Sequence, residues 1–326
     1  MRVARMCFLN RLTMDEGRRP AVDEKRKTTE QTSAGGDIQA GGHVSGTALG
    51  VEMKRRMYPN ATDIFTIIGL LIVPMVITAL AGVLLNRYSG LPAGACNAIL
   101  YFVNMALAIL FVAIHRRSRR AQALTLGLGI KSVNAPLILW GILLIVVVGI
   151  VIEPLLSLFP DAYLEQLNKA IGTGGWTILT TVLLAPVMEE VLFRGLIQGA
   201  ICKRDGAVKG ILLSALLFGA IHVVPQQAIN AFFCGIVLGY IYLRTGSLLA
   251  VILLHALNNA ISYIALELLG PDMAYLQTKE LLGGGTVYYI VYGISVVFLV
   301  VSAVMMVRHL RSAAGEVPRQ MENSGV

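Results

Sequence analysis

The sequence predicts an all-α fold, a polytopic membrane helical bundle of about eight transmembrane helices. Hydrophobic residues make up 56% of the 326 residues and charged residues only 14%, a balance too apolar for an ordinary soluble domain. The formal net charge is +8, but the basic residues stand mainly in the N-terminal tail and in short loops between apolar runs. That placement is typical of membrane topology signals. We therefore expect the lipid bilayer as a partner and no nucleic acid.

Eight apolar runs are near the length of about 20 residues that crosses a bilayer core. In chain order they are Ile64–Leu85, Ala93–Ile114, Leu137–Leu158, Trp176–Ile201, Val208–Val224, Ala228–Leu243, Leu248–Leu269 and Val287–Val307. The fifth and sixth are short, and only three residues beginning with Pro225 separate them, so we expect a tight helical hairpin there.

The basic clusters between the runs predict the orientation of the chain. When eight spans are threaded through a membrane, the clusters fall on one side: Lys54–Arg56, Arg116–Arg120, Lys203–Arg204, Arg244 and Arg308–Arg311. Positively charged loops mark the cytoplasmic side of membrane proteins. Both termini are therefore predicted to be cytoplasmic.

The chain is predicted to have four parts. Residues 1–60 are polar and rich in Gly, Ser and Thr, which predicts a disordered cytoplasmic tail. Residues 61–169 hold the N-terminal transmembrane helices and residues 170–270 a four-helix core. Residues 271–326 hold a C-terminal transmembrane helix and a second cytoplasmic tail. The four cysteines show no C-x-x-C spacing, which indicates neither a disulfide framework nor a thiolate zinc site.

The fourth predicted span contains three charged residues within six positions, namely Glu189, Glu190 and Arg194. A charge at mid-bilayer costs about 2.5 to 3.5 kcal/mol even on lenient scales, so ionisable groups in spans commonly mark a functional site. Glu190 and Arg194 are four residues apart and share a helix face, whereas Glu189 points about 100° away. We expect Glu190 to pair with Arg194 and Glu189 to be free.

Two more predicted spans contain histidine. His222 follows Phe218 by one helical turn, and His255 precedes Asn259 by one turn on the same face. Each histidine alone fits a hydrogen-bonded packing residue as well as a functional one. Polar groups from separate spans are satisfied in lipid when they meet, so we expect the acids, the histidines and Asn259 to share one site.

The three motifs resemble, in the same order, those of the CPBP intramembrane endopeptidases, also called the CAAX prenyl protease 2 or Abi family. They are Glu189-Glu190-x-x-x-Arg194, Phe218-x-x-x-His222 and His255-x-x-x-Asn259. The resemblance covers about residues 170–270 and makes this range the CPBP-like catalytic core. It implies an intramembrane glutamate-type endopeptidase that cleaves a peptide or a membrane protein. Prenylated CAAX proteins are substrates of the eukaryotic members only, and the residues do not determine whether they are substrates here.

The resemblance also implies a role for each motif residue. The first Glu and the first His activate water, and the second His and the Asn stabilise the oxyanion. On this chain the catalytic residues are then Glu189, His222, His255 and Asn259, with Glu190, Arg194 and Phe218 in support. The side chains suit these roles, because a carboxylate can accept a proton from water and both an amide and an imidazole can donate to an oxyanion.

Alternatives remain at this stage. Glu189, His222 and His255 could form a His₂Glu zinc site with a water as fourth ligand, although no H-E-x-x-H helix is present. We expect a metal-independent enzyme without a cofactor, located in the plasma membrane of a bacterium. A transporter or proton relay is a second alternative, and a non-catalytic membrane scaffold or immunity protein is a third. The sequence does not predict the oligomeric state.

Overall fold

The computed structural model describes residues 58–121, 126–270 and 276–315. The predicted tail of residues 1–60 lies outside this part of the chain except for its last three residues, and so do residues 316–326. Every regular element within the described ranges is helical. The predicted all-α membrane bundle is therefore confirmed.

We number the helices of the described ranges from α1 to α11. They are α1 Ala61–Tyr88, α2 Ala93–Ser118, α3 Ala135–Val151, α4 Glu153–Leu156, α5 Ala162–Ile171, α6 Gly175–Asp205, α7 Ala207–Ala220, α8 Pro225–Thr245, α9 Leu248–Leu269, α10 Thr278–Leu281 and α11 Gly285–Gly315.

Six of these helices are long and apolar enough to cross a membrane: α1, α2, α6, α8, α9 and the Gly285–Arg311 stretch of α11. The chain is thus an integral membrane protein. Two further apolar helices, α3 and α7, are shorter. Each of the eight predicted runs is therefore helical, but not every one is long enough to be a span. With 14 residues, α7 rises only about 21 Å, which is shorter than the hydrocarbon core of a bilayer.

Prolines explain two of the boundaries that differ from the predicted runs. The predicted Leu137–Leu158 span ends at Val151 because Pro154 has no N–H to donate to the carbonyl of Ile150. The predicted Val208–Val224 span ends early because Pro225 begins α8 and holds Val224 in an extended conformation.

The helix ends that carry the basic clusters are joined to one another, and we call them the basic end of the bundle. Buried Asp63 at the start of α1 accepts from Nε2 of His115 at 3.0 Å and pairs with Nε of Arg119 at 2.9 Å, both near the end of α2. Arg116 lies over the ring of Tyr58 at 5.2 Å. Burial raises the pKa of Tyr58 to about 12, so its hydroxyl stays neutral beside Arg116.

The connection between α2 and α3 fixes the start of α9. The N–H groups of Leu248 and Leu249 donate to the carbonyls of Gly127 and Leu128 at 3.3 and 3.0 Å. At Gly129, with φ +61°, a Cβ atom would lie 2.6 Å from the Cα of Ser247, so only glycine permits this approach. The connection therefore sets where α9 enters the bundle and where its side chains point.

The opposite end is joined by polar contacts between helix termini. Gln226 at the start of α8 donates to the carbonyl of Pro160 at 2.8 Å. Glu153 accepts from the N–H and the hydroxyl of Thr278 at 3.0 and 2.6 Å. These contacts place the start of α8 near the end of the bundle away from the basic clusters.

Candidate active site

Helix α6 changes its winding around the predicted acids. It is π-helical over Ile178–Leu184 and Val191–Gln198 and regularly α-helical over Ala185–Glu190 between them. The short regular segment presents Glu189 and Glu190 about halfway along a helix of 31 residues. π-Helical turns are frequent at functional sites, because the extra residue changes which side chains face a neighbouring helix.

Glu189 lies between α2 and α9. The residue is only 6% exposed. The hydroxyl of Tyr101 on α2 donates to its Oε1 at 2.6 Å, and Nε2 of His255 lies 3.7 Å from its Oε2. The expectation of a free acid is wrong, since Glu189 is outside the arginine pair but is held by a tyrosine from another helix.

Glu190 and Arg194 form the expected pair. Nη1 of Arg194 lies 3.0 Å from Oε1 of Glu190, and both residues are 0% exposed. This distance is that of an ion pair, although the atoms are not aligned as a hydrogen bond. The guanidinium also donates through Nη2 to the carbonyl of Gly235 at 3.4 Å and lies over the ring of Phe218 at 4.6 Å. Arg194 therefore ties α6 to both α7 and α8.

His255 joins the two acids. Its Nδ1 lies 2.9 Å from Oε1 of Glu190. Because a carboxylate can only accept, Nδ1 carries the hydrogen of this bond, and Nε2 is the ring nitrogen that faces Glu189. Glu190 thus fixes both the orientation and the tautomer of His255, in the way that an acid behind a functional histidine does.

Phe218 stands between the two predicted histidines. Its ring contacts the ring of His222 at 5.2 Å and that of His255 at 5.7 Å between centroids, both nearly edge-on. Nδ1 of His222 lies 2.9 Å from the carbonyl of Phe218, so Nδ1–H donates there and Nε2 remains for another partner. In the part of the chain that the structure describes, no direct hydrogen bond joins half-buried His222 to Glu189. His222 is linked to the pair of Glu189 and His255 through the ring of Phe218, which contacts both histidines.

Helix lengths explain how His222 reaches the depth of the acids. Asp205 at the end of α6 lies about 24 Å beyond Glu189, and α7 returns by about 21 Å before it ends at Ala220. His222 follows that end by two residues and so comes back to the level of Glu189.

Asn259 contacts the first π-helical segment of α6, Ile178–Leu184. The N–H of Ala185 donates five residues back, to the carbonyl of Thr180. The same pattern assigns the carbonyl of Thr181 to position 186, where proline has no N–H. Nδ2 of Asn259 donates to this carbonyl at 2.9 Å. Pro186 therefore creates the acceptor that attaches Asn259 to α6, and the second amide hydrogen of Asn259 is not engaged in this bond.

The residues of the zinc alternative do not fit an ion as they stand. Among the described residues, no group of three His, Cys, Asp or Glu side chains is placed to hold one metal ion. His255 directs Nδ1 at Glu190 and only Nε2 at Glu189, and His222 is separated from His255 by the ring of Phe218.

Two residues of the site were not predicted from the sequence. Tyr101 lies in an apolar run between Asn97, four positions earlier, and Asn104, three positions later, and these polar neighbours one helical turn away were the available signal. Thr181 contributes a backbone carbonyl, which no side-chain pattern reveals. The proline five residues later was the signal for this carbonyl, because it removes the donor.

Comparison with known proteins supports the motif analysis. Residues 172–261 match the family model described as type II CAAX prenyl endopeptidase Rce1-like. This range contains α6, α7, α8 and most of α9, with all the predicted site residues, whereas Tyr101 lies outside it. The resemblance that the three motifs predict is confirmed over this range.

Two curated relatives are each similar to part of the chain. A Bacillus subtilis (strain 168) protein named "Putative membrane peptidase YdiL" is 25% identical over 103 residues, which are 32% of this chain and 41% of the relative. An Escherichia coli protein named "Uncharacterized 24.3 kDa protein" is 31% identical over 134 residues, 39% of this chain and 61% of the relative. The chain thus spans 41% to 61% of the length of these relatives. No solved structure matches the chain.

Proposed function

We propose that this integral membrane protein, whose residues 172–261 match the Rce1-like endopeptidase family, is an intramembrane endopeptidase that uses Glu189 to activate water. The observation that carries the proposal is the position of Glu189. Its carboxylate is buried midway along a membrane-length helix, and it contacts His255 of α9 and Tyr101 of α2. A buried carboxylate can act as a general base toward a water molecule beside it, and an oriented histidine lies 3.7 Å from one of its oxygens.

The proposed reaction is hydrolysis in two steps. Glu189 takes a proton from water while the water oxygen forms a bond to the peptide carbonyl carbon, and the carbonyl π electrons move to the oxygen. In the second step, the C–O double bond re-forms, the C–N bond breaks and the proton held by Glu189 passes to the leaving nitrogen. The acid returns to its starting state, and no other reactant is consumed.

His222 orients the attacking water, and His255 and Asn259 stabilise the charge that develops in the first step. His222 has its Nε2 available to orient the attacking water, because Nδ1 is engaged by the carbonyl of Phe218. The second amide hydrogen of Asn259 can donate to the oxyanion. Nε2 of His255, one helical turn away on the same face of α9, donates there when the ring is an imidazolium, because Nδ1 already carries the hydrogen directed at Glu190. Glu190 and Arg194 hold His255 and α6 in place for this task.

The proposed chemistry needs no metal. The donor set that would hold zinc is divided by the ring of Phe218, and one of its imidazoles is committed to Glu190. Water activation is instead assigned to the carboxylate of Glu189, with His222 orienting the water. Chelator-resistant activity of a protein that elemental analysis shows to be metal-free supports this assignment, and activity that requires added zinc contradicts it.

The proposed orientation places the basic end in the cytoplasm and the protein in a bacterial plasma membrane, with both termini cytoplasmic. The substrate is a peptide or a membrane protein whose scissile bond reaches the depth of Glu189. Helix α2 packs along α6 on the Tyr101 side, where a Cβ on Gly94 would lie 2.9 Å from Trp176. The substrate therefore approaches from the His222 side, where neighbouring Val223 is exposed.

The test uses purified protein in detergent and in lipid vesicles, with a quenched peptide library as substrate. Cleavage by the wild type that is lost in Glu189→Gln and strongly reduced in His222→Ala supports the proposal. Glu267→Gln is the matched control, because Glu267 also accepts from a tyrosine hydroxyl, at 3.0 Å, but outside the site. Cleavage that persists in Glu189→Gln rejects the assignment of the base. Absence of cleavage by the wild type in every membrane condition favours a non-catalytic scaffold.

A further inference from the structure

We infer that Tyr101 is a positioning residue of the active site, which holds the carboxylate of Glu189 so that Oε2 is the oxygen that takes the proton from water. This inference rests on the proposed function. It adds α2, a helix outside the family match of residues 172–261, to the machinery of the site.

The contact itself has the character of a strong hydrogen bond. The hydroxyl of Tyr101 lies 2.6 Å from Oε1 of Glu189, within the range of charge-assisted bonds between a hydroxyl and a carboxylate. Glu189 is buried, so water competes little for this oxygen. A hydroxyl placed here also satisfies a buried acid that Arg194 does not reach, since the guanidinium pairs with Glu190.

The two oxygens of Glu189 are in different environments. Oε1 accepts from Tyr101, whereas Oε2 faces Nε2 of His255 at 3.7 Å, a distance longer than a hydrogen bond. A donor on one oxygen fixes the plane of the carboxylate and occupies that oxygen during the reaction. Oε2 is then the oxygen that lies on the histidine side with the reacting groups, and a proton from water goes there.

The position of Tyr101 is itself fixed by contacts at both ends of α2. Near one end of α2, Gly94 packs against the side chain of Trp176, where a Cβ would approach to 2.9 Å. Near the other end, Nη1 of Arg116 donates to the carbonyl of Leu196 on α6 at 3.2 Å. With both ends held against α6, the hydroxyl has one fixed height relative to Glu189. A hydroxyl held at a fixed height holds the carboxylate of Glu189 in one position for reaction.

The test is Tyr101→Phe, which removes only the hydroxyl. A hydrogen bond to a charged group contributes about 1.5 to 3 kcal/mol, so kcat is expected to fall about 10- to 100-fold. KM is expected to stay within about twofold, because the lost bond is to the base and not to the substrate. Tyr263→Phe is the matched control, since its hydroxyl donates to Glu267 and accepts from the N–H of Gly174, each at 3.0 Å, in exposed contacts away from the site. That variant is expected to keep both constants.

A second pair of variants separates positioning from a merely structural role. Glu189→Asp withdraws the carboxylate by one methylene group from the Tyr101 hydroxyl. If Tyr101 acts through this carboxylate, Tyr101→Phe costs much less in kcat in the Glu189→Asp background than in the wild type. A structural role gives equal losses in both backgrounds, and the thermal midpoint of Tyr101→Phe then falls with its activity.

The outcomes distinguish the two proposals. If the wild type cleaves and Glu189→Gln does not, but Tyr101→Phe is as active as the wild type, the inference is overturned and the proposed function stands. Equal losses of kcat in the two backgrounds also overturn the inference. If the wild type cleaves no substrate, the proposed function fails and the inference fails with it.

Discussion

Replacement of Arg194 by methionine tests the structural centre of the site. The guanidinium is 0% exposed and lies 3.0 Å from Oε1 of Glu190, which is also 0% exposed. Methionine has similar length but no charge, so Arg194→Met leaves the buried acid with Nδ1 of His255 as its remaining partner at 2.9 Å. Removal of one member of a buried ion pair costs about 3 to 5 kcal/mol. The cation–π contact with Phe218 at 4.6 Å is lost as well.

The assay is equilibrium unfolding in mixed micelles, followed by circular dichroism and tryptophan fluorescence. We expect Arg194→Met to lower the free energy of unfolding by about 3 to 5 kcal/mol. The double variant Glu190→Gln/Arg194→Met is expected to recover most of this loss, because it leaves no unpaired acid. Arg87→Met is the matched control, since its exposed guanidinium lies over the ring of Tyr88 at 5.8 Å, and its cost is expected to stay below about 1 kcal/mol. An Arg194→Met cost as small as that of the control, or a double variant as unstable as the single one, refutes the reasoning.

Three further predictions concern packing, the winding of α6 and metal dependence. Gly239→Ala is expected to lower the free energy of unfolding by about 1 to 3 kcal/mol in the same assay, because the new Cβ would lie 2.8 Å from Oε1 of Gln198. Gly149→Ala is the control: its Cβ would meet nothing within 4 Å, so this variant is expected to be neutral or slightly stabilising. Asn259→Ala is expected to lower the free energy of unfolding by about 1 to 3 kcal/mol, because the carbonyl of Thr181 loses its donor. Pro186→Ala restores an N–H at position 186 and is expected to reduce this loss. Equal losses with Pro186 and with Ala at this position contradict the role given to Pro186. Incubation with EDTA followed by dialysis is expected to leave peptidase activity unchanged, and a loss that zinc restores refutes the metal-independent mechanism.

Much of the fold was predictable because lipid leaves few choices. Backbone polar groups within a bilayer must be satisfied inside the segment, so each long apolar run had to be a helix. The spacing of Glu190 and Arg194 predicted their pair for the same reason, since four residues on a helix place two side chains on one face. The three motifs also identified the helices that build the site.

What the sequence did not predict depends on contacts between helices. The hydroxyl of Tyr101 meets Glu189 across 88 positions of the chain, and nothing in the local pattern of α2 points to that acid. The length of α7 was overestimated because an apolar run continues past Ala220, although the helix does not. Hydropathy does not show where a helix ends within an apolar run, and here α7 ends at Ala220 while Pro225 holds Val224 in an extended conformation.

The winding of α6 shows the same limit at the scale of the backbone. A regular α-helix through Pro186 would leave a different carbonyl without its donor, and Asn259 would then face a different partner. The π-helical turn shifts the unsatisfied carbonyl to Thr181, within reach of α9. Side-chain spacing predicted that Asn259 faces inward, but not what it binds.

The rate of peptide cleavage by Glu189→Gln, compared with the wild type under identical membrane conditions, tests the central claim most directly. Glutamine keeps the shape of the side chain, and its carbonyl oxygen can still accept from Tyr101, so we expect an unchanged thermal midpoint. The amide cannot take a proton from water, and kcat is expected to fall by about 10²- to 10⁴-fold, while Glu267→Gln retains full activity. A folded Glu189→Gln protein that cleaves at the wild-type rate contradicts the account.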